Sequence, residues 1–191
     1  MVFITDVVDC TSGTPQFRIS EERRSDAPAY CIFSQADLED DLRGVSSISG
    51  ARRKIRTFDS VCTVSKGDVV FSLLSGTAAV VQIEHDGYLL TQNYVLLSPS
   101  ELIDPLYLVY LLNENREIKR QLYRSQQGSA TMKYTLNQLG SLKLPMLPSR
   151  EKQRLIGEVY FAQLKLEALR KREAELETQL VFGMIGKAGQ L

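Results

Sequence analysis

The chain is 191 residues long and 43% hydrophobic, and its 23 basic residues balance 23 acidic ones. That length holds one domain of ordinary size plus one further long element, and the composition describes a globular chain rather than a disordered one. A net charge of zero excludes a general attraction to nucleic acid or membrane, so any such binding has to come from local separation of charge.

In chain order, residues 1–8 are apolar enough for a first strand or the end of a helix, and Cys10-Thr11-Ser12-Gly13-Thr14-Pro15 reads as a turn cluster. Residues 18–26 are charged and expected on the surface, and residues 29–33 predict a short strand. Ser34-Gln35-Ala36-Asp37 resembles a capping box that opens a short acidic helix ending near Leu42. A serine-rich loop over residues 44–50 leads into the basic run Arg52-Arg53-Lys54-Ile55-Arg56. A β-rich centre follows. Residues 60–64 alternate, Lys66-Gly67-Asp68 is a turn, and the apolar runs 69–74 and 78–83 flank the hairpin signal Ser75-Gly76-Thr77. After a second turn at His85-Asp86-Gly87, a further strand is expected over residues 93–97. Asp104 is placed to cap a helix that has Pro105 at its first position, where proline is favoured. Residues 106–123 then read as one or two helices, followed by a polar loop, Gln126-Gln127-Gly128-Ser129-Ala130-Thr131, between Arg124 and Lys133. A short helix near Asn137 and a strand over residues 142–144 close the globular part.

The run Leu144-Pro145-Met146-Leu147-Pro148-Ser149 ends that part, because two prolines can continue neither a sheet nor a helix interior. Beyond it, Ser149 can cap a new helix and Glu151 suits the positive end of its dipole. Leu155, Val159, Ala162, Leu166, Leu169, Glu173, Leu176 and Leu180 recur at alternating steps of four and three, an a/d heptad seam interrupted by one glutamate. The flanking e and g positions hold Glu158, Lys165, Arg170, Arg172 and Glu177. Such a helix cannot bury its stripe alone and requires a second long helix. Tyr160, Leu164 and Ala168, with Phe161 beside them, form a second apolar face, expected against the globular domain or against a partner subunit.

Little in the chain points to catalysis. His85 beside a glycine turn reads as an exposed loop histidine, and the P-loop, GxGxxG, HExxH and GxSxG signatures do not occur. Asp37, Glu39, Asp40 and Asp41 sit at helical spacing, read as a solvated face rather than a metal site. Cys10, Cys31 and Cys62 are odd in number and match no metal spacing, which predicts buried free thiols in a reducing cytoplasm. There is no apolar run of about 18 residues and no basic start followed by an apolar core, so neither a membrane span nor a signal peptide is expected. Two basic groups stand out: Arg52, Arg53, Lys54 and Arg56, and then Arg116, Lys119, Arg120, Arg124 and Lys133. Phosphates attract such charges, and base edges attract Gln, Asn, Arg, Ser or Thr on accessible loops. Spacing alone leaves these open between DNA contacts and solvated surface.

The order of motifs is similar to one half of a type I restriction-modification specificity subunit. The resemblance rests on Thr11-Ser12-Gly13-Thr14-Pro15, on Lys66-Gly67-Asp68-Val69-Val70-Phe71 with Ser75-Gly76-Thr77, and on Gln92-Asn93. It continues through Ile103-Asp104-Pro105, Gly128-Ser129-Ala130, and Leu144-Pro145-Met146-Leu147-Pro148 with Glu151 and Gln153-Arg154-Leu155-Ile156. The resemblance covers nearly the whole chain. Typical members carry two such halves, this chain one, and the junction here reads Glu151-Lys152-Gln153 rather than the commoner Glu-Gln pair.

The resemblance implies an α+β fold: a β-rich target recognition domain over residues 1–148, a coiled-coil spacer helix over residues 149–183 and a tail over residues 184–191. It implies a non-catalytic, cytoplasmic subunit that reads a double-stranded DNA half-site. Such a subunit docks a methyltransferase subunit carrying S-adenosylmethionine and, through the complex, a motor nuclease subunit. The expected DNA contacts are Gln126, Gln127 and Ser129 in one loop, Ser75 and Thr77 in another, Arg52, Arg53 and Lys54 on phosphates, and Arg124 and Lys133 beside them. No metal or catalytic residue is expected. The dimer seam is Leu155, Val159, Ala162, Leu166, Leu169, Leu176 and Leu180. A parallel pair would oppose Lys165 to Arg170 but match Arg172 with Glu177. The resemblance decides for an antiparallel homodimer, or for pairing with another half-subunit. The competing readings are a coiled-coil assembly or decoy protein that does not read DNA, and a fused methyltransferase whose catalytic domain lies outside this chain. The missing Asn/Asp-Pro-Pro-aromatic motif weighs against the last.

Overall fold

The computed structural model describes residues 2–46, 52–126 and 133–188. Its centre is a four-stranded antiparallel sheet in the order β2 (Val8–Ser12), β7 (Tyr94–Pro99), β5 (Val69–Ser72) and β6 (Ala78–Val80). The hairpin signal holds: β5 and β6 pair with Val70 opposite Ala79, around a turn whose Gly76 adopts a φ of 70°. The expected turn at Cys10 is instead strand, because Cys10 pairs with Leu97 and Ser12 with Val95 before Gly13 turns the chain. Residues 60–64 form no strand, and only Thr63 makes an isolated bridge, to Leu89. Two further ribbons stand apart from this sheet: β1 (Val2–Phe3) with β8 (Lys143–Leu144), and β3 (Ala29–Cys31) with β4 (Lys54–Arg56).

Both faces of the central sheet are covered, and the period-two alternation of side chains sorts the core into two layers. Val69, Phe71, Val95 and Leu97 point into one layer, with Leu108, Leu111 and Leu112 of α2 (Pro105–Glu114). Val70, Ala79 and Tyr94 point into the other, with Phe33 and with Leu38 of α1 (Gln35–Arg43). Helix α1 begins on the expected capping box: the Ser34 hydroxyl accepts from Asp37 N and the Asp37 carboxylate accepts from Ser34 N. Helix α2 begins on Asp104, whose carboxylate accepts from the amides of Leu106 and Tyr107. The chain then breaks into a second helix, α3 (Arg116–Gln126), because Asn115 leaves the helical region and its side-chain oxygen caps Glu117 N and Ile118 N. A short α4 (Leu136–Gly140) leads to β8.

The last element is α5 (Arg150–Ala188), 39 residues and about 58 Å long. It runs past the expected end at residue 183 and takes in most of what reads as a tail. Its first turns are docked on the globular core. Gly157 is buried, and a Cβ built there would stand 2.5 Å from Leu106 Cβ and 2.9 Å from Tyr107 N, so α2 and α5 touch backbone to backbone. Gln153, also buried, accepts from Asp104 N at 2.8 Å and donates to Leu102 O and Pro148 O at 3.1 and 3.0 Å. Ile156, Tyr160 and Phe161 pack onto the same core layer, so the first part of the second apolar face is used within the chain, whereas Leu164 and Ala168 are half-buried and line a groove beside α5. The Tyr160 hydroxyl donates to Glu114 at 3.2 Å, and burial first of all pushes its pKa up to about 12. The a/d seam is bare: Leu155, Val159, Leu166, Leu169, Leu176 and Leu180 are 42–65% exposed.

Gly157→Val should force α5 away from α2 and cost about 1–3 kcal/mol, read as a lowered urea midpoint. Gly183→Val, where a Cβ would meet nothing within 4 Å, should leave the midpoint unchanged within about 0.5 kcal/mol. Equal effects at the two glycines would rule out the close approach.

Candidate nucleic-acid interface

The two basic or polar groups expected to meet DNA are placed by different elements. Arg53 and Lys54 lie at the start of the β3–β4 ribbon, where Ile55 turns inward and its neighbours outward. Both are exposed, and neither makes an ion pair with another described residue. Arg52 is placed differently. Its guanidinium donates to the Tyr88 hydroxyl at 2.6 Å, stacks 5.4 Å over the Tyr88 ring and stands 3.5 Å from Asp37. It is committed to contacts within the domain.

Ser75 and Thr77 lie in the β5–β6 turn. Ser75 Oγ accepts from the Gln35 amide at 3.2 Å, and Gln35 in turn accepts from Ser72 Oγ at 3.0 Å, so the first residue of α1 holds the turn. Lys133 and Tyr134 sit beside it: Tyr134 N donates to Leu73 O at 2.8 Å, and Lys133 Nζ donates to Asn93 Oδ1 at 2.8 Å. Arg124 is exposed near the end of α3. Gln127 and Ser129, and the side chain of Gln126, lie outside the described residues. A groove of about 1030 Å³ runs between this surface and α5, bordered by Ser75, Thr77, Tyr123 and Tyr134 on one side and Lys171 and Arg172 on the other.

Between the turn and the ribbon lies a buried charge network that the sequence did not show. His85, read from sequence as exposed, is 2% exposed. Asp37 and Asp41, read as part of a solvated face, are buried with it. Their i, i+4 spacing puts both carboxylates on the face of α1 that covers the sheet, and the 3-10 turn Ile83–His85 brings the imidazole between them. His85 Nδ1 lies 2.7 Å from Asp41 Oδ1, and Nε2 lies 3.1 Å from both Asp37 Oδ1 and the Arg52 guanidinium. Burial lowers the imidazole pKa, but hydrogen bonds and charges from the two carboxylates outweigh it and push the value up to about 9. Asp37 titrates below the usual carboxylate value: burial opposes this, and bonds from His85 and Ser34 decide it. Asp41 moves the other way, raised by burial, and its Oδ2 is buried without a partner among the described residues. Asp41 Oδ1 also accepts from Gln82 N at 3.1 Å. The network therefore ties α1 to the turn after β6 and, through Arg52, to the start of the basic ribbon.

Among the described residues no group of His, Cys, Asp and Glu has the geometry to hold a metal ion, and no helix is long and apolar enough to cross a membrane. Cys10, Cys31 and Cys62 are free thiols, half-buried rather than fully buried.

Known proteins bear on this arrangement. The family model described as type I restriction modification DNA specificity domain matches residues 1–178. The fold is similar to that of the HsdS subunit from Thermoanaerobacter tengcongensis, at a TM-score of 0.59 and 21% identity, over 94% of this chain and 41% of that one. A chain from a structure titled for complex assembly and conformational transition of the type I R-M system matches at 0.58 and 21% identity, over 94% and 42%. The type I restriction-modification S subunit from M. genitalium matches at 0.50 and 17% identity, over 93% and 40%. The chain thus spans about two fifths of the length of these proteins. No curated protein matches it.

The raised pKa of His85 has a measurable consequence. A group whose folded value lies above its unfolded one contributes stability that is complete below the unfolded value and lost as pH rises through the folded one. With 6.5 and about 9 as the two values, urea stability should fall by up to ~3 kcal/mol between those pH values. His85→Gln should flatten that decline. A wild-type profile flat from about pH 6.5 to 9.5 would show that the imidazole is not held as the cation.

Proposed function

The chain belongs to the type I restriction-modification DNA specificity family, and from that premise we propose that it is the DNA sequence-recognition subunit of a type I restriction-modification enzyme. It reads a double-stranded half-site and docks a methyltransferase subunit. The observation that supports this reading best is the coexistence of an exposed basic ribbon, carrying Arg53 and Lys54, with a long helix whose leucine seam is uncovered while its opposite face is docked. The first is a means of holding phosphates, the second a means of joining two recognition domains.

Arg53 and Lys54 serve as phosphate anchors, and Arg52 contributes charge from a fixed position. Ser75, Thr77, Arg124 and Lys133 supply a second set of contacts, to which Gln126, Gln127 and Ser129 add by the sequence reading. S-adenosylmethionine belongs to the methyltransferase subunit, and cleavage to a motor nuclease subunit reached through the complex. The domains divide the labour near residue 149, where the recognition domain passes into the spacer helix.

Two copies pair through α5 in antiparallel fashion. The steps along the seam read the same in both directions, so a two-fold pair forms eight layers. Leu155 meets Leu180 of the second copy, Val159 meets Leu176, Ala162 meets Glu173, and Leu166 meets Leu169. This register sets the one charged seam residue against the smallest one, which leaves its carboxylate room to turn to water. Lys165 and Arg172 of opposite copies come together near the dyad; Arg172 is drawn aside by Ser46 O at 3.4 Å. The recognition domains then stand at opposite ends, and the site is two inverted half-sites with a spacer set by the helix.

Arg53→Ala should weaken binding to all duplexes alike and reduce the salt slope by about one, whereas Gln126→Ala with Gln127→Ala should relax sequence preference. An unchanged slope would remove Arg53 from the anchors. In sedimentation the chain should run as a dimer that Glu173→Leu tightens. A concentration-independent monomer that stays monomeric when mixed with other half-subunits would overturn the pairing.

A further inference from the structure

The segments flanking the basic ribbon carry two large aromatic rings that the fold leaves in water. Phe17 is 79% exposed and Phe58 is 55% exposed. Neither belongs to either core layer. Residues 14–28 and 56–62 run side by side as an extension of β3–β4. Cys62 N donates to Thr14 Oγ1 at 2.7 Å, Ser20 N to Asp59 Oδ2 at 2.6 Å, and Glu22 N to Arg56 O at 2.8 Å. The Arg56 guanidinium reaches across to Ser25 O and Ala27 O at 3.0 and 2.9 Å. The rings are therefore mounted on a braced lobe rather than on a free loop.

Each ring also has a cation over it. Arg18 lies 5.6 Å from the Phe17 centroid, and Arg24 lies 5.4 Å from that of Phe58. Arg24 also makes a two-point bond to Asp26, at 3.1 and 2.7 Å, on the surface. What sets these two rings apart from other exposed apolar side chains is the arginine beside each of them. Apolar rings flanked by arginine, on segments continuous with the ribbon that carries Arg53 and Lys54, match the chemistry of a DNA groove. Cations meet phosphates, and an apolar side chain meets thymine methyl groups or wedges against a base step.

We propose that Phe17 and Phe58, on the lobe that extends the β3–β4 ribbon, are the apolar base-contacting residues of the DNA interface, with Arg18, Arg53 and Lys54 as their phosphate anchors. This rests on the DNA-recognition reading above and adds to it a second reading surface, separate from the β5–β6 turn. The two-stranded ribbon has the width a major groove admits. The lobe enters the groove with its rings toward the bases, and Arg24 remains paired with Asp26.

The test uses the full chain and a library of random duplex DNA at low salt, with retained sequences read out for wild type, Phe17→Ala, Phe58→Ala and Arg18→Ala. Both phenylalanines are surface residues, so the folded state should persist, which urea midpoints check. The ring variants should lose roughly tenfold in affinity for the sequences wild type selects, keep the wild-type salt slope, and select a broader set. Arg18→Ala should lower the slope by about one without changing the selected set. Ring variants that select the wild-type sequences with wild-type affinity would overturn this inference while leaving the recognition function standing. A wild-type chain that retains no duplex would overturn the recognition function itself, and this inference with it.

Discussion

The close contact between α2 and α5 is what the rest of the molecule depends on. At Gly157 the two helices leave no room for a side chain, and one turn earlier Gln153 stitches α5 to the loop before α2 through two hydrogen bonds, to Asp104 N and Leu102 O, and to its own approach at Pro148 O through a third. Because Gln153 bonds to Asp104 N, it engages the residue that caps α2, so the start of one helix fixes the start of the other. A shift of α5 would expose Ile156, Tyr160 and Phe161 and strand the buried amide of Gln153 at once. Such coupled losses make a joint rigid, because no partial displacement keeps part of the benefit. The long helix thus leaves the domain in one direction only, and everything joined to its far end inherits that direction.

The joint reaches the sheet through Asn113. Its side-chain amide both accepts from Ala78 N and donates to Ala78 O, at 2.8 and 2.9 Å, as a neighbouring strand would at the edge of β6. The same amide lies 3.4 Å from the Tyr160 hydroxyl. A sheet edge that would otherwise offer unpaired groups is closed by a helix, and that helix is the one α5 rests on. The β5–β6 hairpin is consequently referenced to α5 through Asn113 and to α1 through Gln35, while the β3–β4 ribbon is referenced to α1 through Arg52, Asp37 and His85. The two candidate reading surfaces therefore share α1 as an anchorage, and the turn has a second one on α2 and α5.

Much of this was legible in the sequence. The capping box at Ser34, the Asp104-Pro105 start, the β5–β6 hairpin and the break after Pro148 are local signals, and local physics decides them. The heptad seam was legible for the same reason, since its period lies entirely within one helix. His85 was misread because the two carboxylates that hold it lie on α1, 44 residues or more away in sequence. Asp37 and Asp41 looked like half of a solvated acidic face because helical spacing gives a face but not what covers it. Gln153 was visible only as part of a motif, and its three acceptor and donor partners come from two other segments. The candidate interface divides the same way: the basic run was found by composition, whereas Phe17 and Phe58 become notable only once the core is known and they are absent from it.

A chain of zero net charge is a poor candidate for DNA binding until its charges are sorted by what they do. Asp37 and Asp41 are consumed by His85 and Arg52 inside the domain, and Asp26 and Asp59 are spent on Arg24 and on the Ser20 amide. Glu158 is spent on Arg154, and Glu114 on Lys119 and Tyr160. On the ribbon, Arg53 and Lys54 are exposed with no acidic partner among the described residues, and Arg18 faces only a ring. A phosphate backbone within about one Debye length, ~10 Å, responds to those local charges rather than to the total. Neutrality then has a consequence of its own. On the proposed reading, attraction to DNA comes from the surfaces that carry uncompensated cations rather than from the chain as a whole. On that same reading, the ribbon and the turn are the surfaces that meet the duplex, and the α2–α5 joint sets how they stand relative to the spacer helix.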